Sequence, residues 1–222
     1  ALDAAFVKLK AAGVPVSSTG GAPLAMSAPS TTRAVIVQDP DGHFVELAQL
    51  DPLPPTTAPA SSSVIGIRLR VTVSDMDGTL SFYQQRLGLK GELRAFTSSP
   101  QVSAMLGLRD VEYRMATVRM PNSPLLLEFM ELKGAPGSVA RSRVQDPGSF
   151  RLQLNVRHID AALAGMTASG STVVSSNRVP VSMTFGSRPW RLAVAPDPNN
   201  LFLVVQQPPA AVQQPAPQSQ AQ

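Results

Sequence analysis

"SDMDGTLSFYQQRLGL", residues 74–89, is the stretch from which the fold is read. Met76, Leu80, Tyr83 and Leu87 recur at helical spacing, Asp75 stands where an N-cap is needed, and Gly88 can close the helix in a left-handed conformation. Immediately upstream, "IRLRVTVSD" (67–75) alternates apolar and polar residues as a half-buried strand does. Downstream, "VEYRMATVRM" (111–120) and "PLLLEFMEL" (124–132) are two further strands about a hairpin turn at Pro121 and Asn122. Residues 64–133 therefore form a βαβββ module.

The design recurs. "FRLQLNVRH" (150–158) is a first strand, Ile159, Ala162, Leu163, Met166 and Gly170 mark a helix, and "VPVSMTF", "RLAVA" and "LFLVVQQ" follow as strands of a module over 150–207. Near the start, Leu2, Ala5, Phe6 and Leu9 form an apolar helix stripe ended by Gly13. From there Gly13/Gly170, Val16/Val173, Ser18/Ser175, Pro23/Pro180 and Met26/Met183 keep an offset of 157, and Arg33/Arg191 and Asp39/Asp197 one of 158. This is an internal duplication of about 50 residues. Residues 1–50 are thus a module without its leading strand, and "DPDGHFVEL" (39–47) corresponds to "DPNNLFLVV" (197–205), with Glu46 matched by Val204.

At 222 residues and 43% apolar, the chain can bury one full core and part of a second. Nineteen basic and fifteen acidic residues are scattered, which argues against a nucleic-acid surface, and no apolar run reaches the length of a membrane span. With zero cysteines, thiolate metal sites and cysteine nucleophiles are excluded, while the compartment is left undetermined. Proline clusters in 51–63, read as a linker, and in the low-complexity segment 208–222, read as a disordered tail.

Repeated βαβββ modules, with the 74–89 phrase after a first strand and "DPDGHFVEL" at a last one, resemble the vicinal oxygen chelate superfamily of glyoxalase, bleomycin-resistance and extradiol-dioxygenase proteins. The resemblance implies an α+β fold in which two modules curl their sheets around a pocket. Residues 64–207 would be one complete domain, and 1–50 the C-terminal module of a truncated first domain. A four-module parent follows, with about 100 leading residues absent. Metal-using members of the group hold one cation with a side chain from the first and last strand of each module. Counting back seven residues from Asp75 and Asp160 puts these positions at Arg68 and Gln153, with Glu128 and Val204 on the last strands. Arg68 is a fixed cation and Val204 has no donor atom, so no metal cofactor is expected in 64–207, where Glu128 and Gln153 are vestigial ligands. Glu46 is a possible metal ligand of the first domain.

Strand alternation places Arg68, Arg70 and Thr72 together, and likewise Gln153, Asn155 and Arg157, with Glu128 on the same polar face. Ile67, Leu69, Val71, Leu127, Phe129, Leu152, Leu154 and Val156 should face the helices. Arg68 and Glu128 read either as a structural ion pair or as a guanidinium grip on a carboxylate or other anionic ligand. His43 reads as a solvated turn residue, and His158 as a polar contact at a helix start. The leading expectation is a small-molecule-binding protein with a metal-free pocket. A metal-dependent lyase or dioxygenase acting at the domain of Glu46, a metal-free isomerase, and a non-catalytic half that supports a homodimer are the alternatives.

Overall fold

The computed structural model describes residues 2–27, 31–134 and 141–209, and the chain divides into two compact units, Ala1–Ser149 and Phe150–Gln222. Most of the expected tail, 210–222, lies outside the described residues. The first unit opens with helix α1 (Leu2–Ala11) and an antiparallel sheet of β1 (Leu24–Ala25), β2 (Arg33–Gln38) and β3 (Phe44–Gln49), in that order. Leu2 and Phe6 are buried against Val35 and Val37, as their spacing requires, although Ala5 of the expected stripe is exposed.

A second sheet in the same unit begins with β4 (Arg68–Val73), followed by α2 (Met76–Leu87), β5 (Gly91–Leu93), β6 (Thr97–Ser98), α3 (Pro100–Met105), β7 (Glu112–Arg119) and β8 (Leu126–Lys133). The strand order is β4-β8-β7-β5, with β4 parallel to β8 and β6 added on β7. Asp75 caps α2 by accepting from Gly78 N at 2.9 Å. Gly88 ends it at φ +69, with its N–H on the Gln84 carbonyl at 3.1 Å and the Leu89 N–H on that of Tyr83 at 3.0 Å. Tyr83 is fully buried and packs its ring 4.8 Å from that of Phe129. Leu69, Val71, Leu127 and Phe129 take the expected sheet parity, but Ile67 does not face the helix. It lies before β4 begins and is 70% exposed.

The second unit contains β9 (Arg151–Asn155), α4 (Ile159–Ala168), β10 (Val181–Phe185), β11 (Arg188–Pro196) and β12 (Phe202–Gln207), in the order β10-β11-β12-β9. Here the leading strand β9 lies parallel to the last strand β12, as β4 lies beside β8. Ile159, Leu163 and Met166 bury the inner face of α4.

The duplication read from the sequence is a duplication of hydrogen bonds. Asp39 Oδ1 accepts from the N–H groups of Asp41 and His43 at 3.0 and 2.8 Å, and Asp197 Oδ1 accepts from those of Asn199 and Leu201 at 2.8 and 2.9 Å. Each turn then needs a left-handed residue, Gly42 at φ +90 and Asn200 at φ +64, types that tolerate this conformation. The helix starts are tied down alike. Gln49 Oε1 accepts from Leu2 N at 3.0 Å and Gln207 Oε1 from Ile159 N at 2.9 Å, while Arg33 pairs with Asp3 and Arg191 with Asp160.

The copies differ in one contact that organises the first unit. Ser18 Oγ accepts from Ile36 N at 2.9 Å and donates to the Met105 carbonyl at the end of α3 at 2.8 Å. Met105 is buried against Ala34 and Ile36, with Leu24, Met26 and Leu106 around it. Gly107, at φ +70, follows so closely that a Cβ there would lie 2.5 Å from the Ser17 carbonyl oxygen. The module 64–133 is therefore docked on the sheet of residues 24–49. The apolar face left by Ala34 and Ile36 is covered by α3, which groups 64–133 with residues 1–50 in the first unit. Ser175, the counterpart of Ser18, accepts from Val194 N at 2.8 Å and has no second side-chain partner among the described residues.

Ser18→Ala should therefore destabilise the protein by about 2–4 kcal/mol, since it orphans two buried backbone groups, whereas Ser175→Ala should cost about 1 kcal/mol. Chemical denaturation of the two variants checks this; equal losses would mean that the Met105 contact carries no weight.

Candidate functional site

The parallel register of β4 and β8 sets Arg70 directly opposite Glu128, with Arg68 opposite Leu126 and Thr72 opposite Met130. All alternate residues of that face point the same way, so Arg68, Arg70, Thr72 and Glu128 come together as their parity requires. Glu128 is only 5% exposed. A buried carboxylate needs donors or it loses its charge. Arg70 supplies two, Nε at 3.1 Å and Nη2 at 2.8 Å from Oε2, and Arg68 Nη1 supplies a third at 3.2 Å from Oε1.

Arg70 reaches a second acid. Its Nη1 donates to Oε2 of Glu46, which lies on β3 beside Ile36. Burial opposes the charge on Arg70, but Glu46 and Glu128 with their hydrogen bonds outweigh it and raise its pKa above the usual arginine value. Removing one member of a buried pair of this kind costs about 3–5 kcal/mol. The arginine side chain is about a quarter exposed, whereas that of Arg68 is 51% exposed with a single carboxylate contact. The network thus has a held guanidinium at its centre and a half-free one at its edge.

The count of seven residues selects Arg68 as the first-strand position, but the residue across from Glu128 is Arg70. Asp75 is the N-cap of α2, while His158, not Asp160, occupies that position at α4, so the two counts differ by one strand repeat. A two-residue slip leaves side chains on the same face, which is why Arg68 still touches Glu128. Glu46, the acid assigned from the sequence to the first domain, joins the same cluster through Arg70, since residues 24–49 dock on 64–133 within the first unit. Thr117 of β7, opposite Glu128, and Met115, opposite Met130, also lie on this face. The alternation in "EYRMATVR" carries that signal once β7 is known to flank β8.

The other candidates lie in the second unit. Gln153 is opposite Val204 and Asn155 opposite Gln206, whose amide donates to Asn155 Oδ1 at 2.5 Å; Arg157 follows the end of β9. His158 makes no side-chain capping bond, and Gln207 takes that part.

A divalent ion does not fit the donors present. Among the described residues no three His, Cys, Asp or Glu side chains form a group suited to a metal. The two acids of this cluster, Glu46 and Glu128, share the guanidinium of Arg70, whose charge is permanent.

A family model for the Glyoxalase/Bleomycin resistance protein/Dioxygenase superfamily matches residues 67–201. A glyoxalase family protein from Bacillus cereus is similar in structure, with a TM-score of 0.57 at 18% identity over 68% of this chain and 99% of that one. Glyoxalase I from Zea mays is similar over 90% of this chain, with a TM-score of 0.56 at 16% identity. This chain covers 61% of the maize protein's length. No curated protein sequence matches. These identities carry the fold, and they bring no substrate with them.

His43 departs from the reading as a solvated residue. Its side chain is 21% exposed, and Nδ1–H donates to Asp39 Oδ2 at 2.9 Å. That bond, against a smaller effect of burial, raises its pKa above the usual 6.5, and the same bond lowers Asp39 below 3.8. The histidine contribution is complete below 6.5 and is lost as pH rises through the raised pKa. That of the aspartate is complete above 3.8 and is lost as pH falls through the lowered one. Thermal midpoints of wild type and His43→Asn should accordingly differ most between these two values and converge at alkaline pH. A gap that stays constant into the alkaline range would contradict the pairing.

Proposed function

This chain belongs to the Glyoxalase/Bleomycin resistance protein/Dioxygenase superfamily, and from that premise we propose that it binds a small anionic molecule without a metal, on the β4/β8 face of its first unit. The observation that carries the reading is the half-exposed guanidinium of Arg68, anchored at one nitrogen by Glu128 and open at the others. A planar guanidinium held in this way presents its remaining donors in a fixed fork, suited to a carboxylate or phosphate.

Arg70 and Glu128 set the orientation of Arg68 rather than meet the ligand themselves. Glu128 is nearly inaccessible, and Arg70 is already engaged by two acids. Thr72, exposed on the same face two residues along β4, offers a hydroxyl that can donate to or accept from a ligand's polar groups. Gln153, Asn155 and Arg157 offer a comparable polar row in the second unit. We assign them a secondary role, because Asn155 is already hydrogen-bonded to Gln206.

Sequestration or carriage fits these groups better than lyase or dioxygenase chemistry. The acid that a metal-dependent reaction would use, Glu46, is engaged by Arg70. The second reading is a non-catalytic half whose ion network holds two modules together, and the same engagement of Arg70 favours it.

A thermal-shift screen of small carboxylates and phosphates on wild type and Arg68→Ala separates the two. A ligand present at a hundred times its Kd should raise the wild-type midpoint by about 5–10 °C. The same compound should leave Arg68→Ala unmoved, and that variant should lose under about 1 kcal/mol of intrinsic stability, as expected for a half-exposed ion pair. Equal responses in both proteins would remove Arg68 from the site. A large loss of stability with no ligand response in either would favour the structural reading.

A further inference from the structure

We infer that Arg70 is the protein's own replacement for a divalent cation, a resident positive charge that joins the last strands of two modules and keeps metal ions out. This deepens the metal-free reading above and rests on it, but it concerns Arg70 where that reading concerns Arg68.

Three observations converge on the guanidinium. Glu46 and Glu128 sit on the final strands of their modules, β3 and β8. These strands belong to different sheets, so nothing in the backbone pairing brings the two acids together. What they share is Arg70, which spends Nη1 on Glu46 and Nε and Nη2 on Glu128. Two carboxylates drawn toward one point need a positive charge between them, since like charges in a partly buried site push one acid to take up a proton.

The second feature is the completeness of the charge balance. Arg68 and Arg70 answer Glu128 and Glu46, so the cluster is neutral without any ion. A divalent cation entering between the acids would meet a fixed guanidinium within hydrogen-bonding distance of both, and an arginine cannot discharge itself to make room. Exclusion is therefore electrostatic and geometric together.

The third is location. Arg70 stands on β4, the leading strand of its module, and its partner Glu46 stands on the sheet that receives α3. Its bond to Glu46 and the Ser18–Met105 contact both join residues of the first 50 positions to the module 64–133. A metal in that place would fasten the same two modules, and Arg70 performs the fastening without depending on ion supply.

The test uses the full chain with Mn2+ as the probe. Wild type should take up no stoichiometric Mn2+ on dialysis, and its thermal midpoint should be the same with Mn2+ and with EDTA. Arg70→Ala should melt lower and take up one equivalent of Mn2+ with a rise in midpoint. The double variant Arg70→Ala/Glu46→Gln should show neither the uptake nor the rise. If Arg70→Ala folds only when Mn2+ is present, that result supports the inference equally. Should Arg70→Ala not fold under any condition, Arg70→Met provides the same readout with a smaller void and adds no hard metal donor. Stoichiometric metal in wild type that is lost in Glu46→Gln would overturn the inference, as would a folded Arg70→Ala that binds Mn2+ no better than the double variant. Stoichiometric metal in wild type would overturn the metal-free reading as well, whereas a folded Arg70→Ala without Mn2+ uptake overturns only the inference and leaves anion binding by Arg68 to the ligand screen.

Discussion

The guanidinium of Arg70, set between Glu46 and Glu128, is the contact on which the arrangement of the first unit turns. An arginine is charged at any pH at which a protein folds, so burying it demands acids, and burying Glu128 demands donors. Each requirement meets the other across the β4/β8 ladder, where strand register leaves the two side chains opposite one another. Arg70 also spends its remaining nitrogen, Nη1, on Glu46 of β3. The same side chain that satisfies a local need in one sheet thereby specifies which second sheet may lie beside it.

That polar contact acts together with an apolar one. α3 is a single short helix begun by Ser99 and Pro100, and by itself it has little reason to be stable. It gains one by placing Met105 against Ala34 and Ile36, while Ser18 closes the hydrogen bonds at its end. Gly107 is what permits the approach, because any side chain there would strike the backbone at Ser17. Residues 64–133 and 1–49 are thus joined by complementary shapes and charges.

For function, the consequence is a division of labour between two neighbouring arginines. Arg70 is consumed by structure, and Arg68 retains donors toward solvent. A sheet face that in other chemistry could hold an ion is here neutral and rich in hydrogen-bonding groups. The proposed anion binding by Arg68 draws on such directional hydrogen bonds rather than on polarisation by a cation.

Much of this is local and so is written in the order of residues. The cap at Asp75, the left-handed stop at Gly88, the Asp-Pro turns at 39 and 197, and the strand parity of Arg68, Arg70, Thr72 and Glu128 depend on neighbours a few positions away, and the sequence by itself determined them. The duplication did more, since equal residues at equal offsets make equal hydrogen bonds, down to Gln49 and Gln207 at the two helix starts. Register between strands and the choice of which module docks on which were decided only by the tertiary structure. Parity cannot tell Arg68 from Arg70, because a slip of two leaves both on one face. Nor can it bring Glu46 to Glu128, because they belong to separate sheets, joined by the reach of one long side chain and the seating of one short helix.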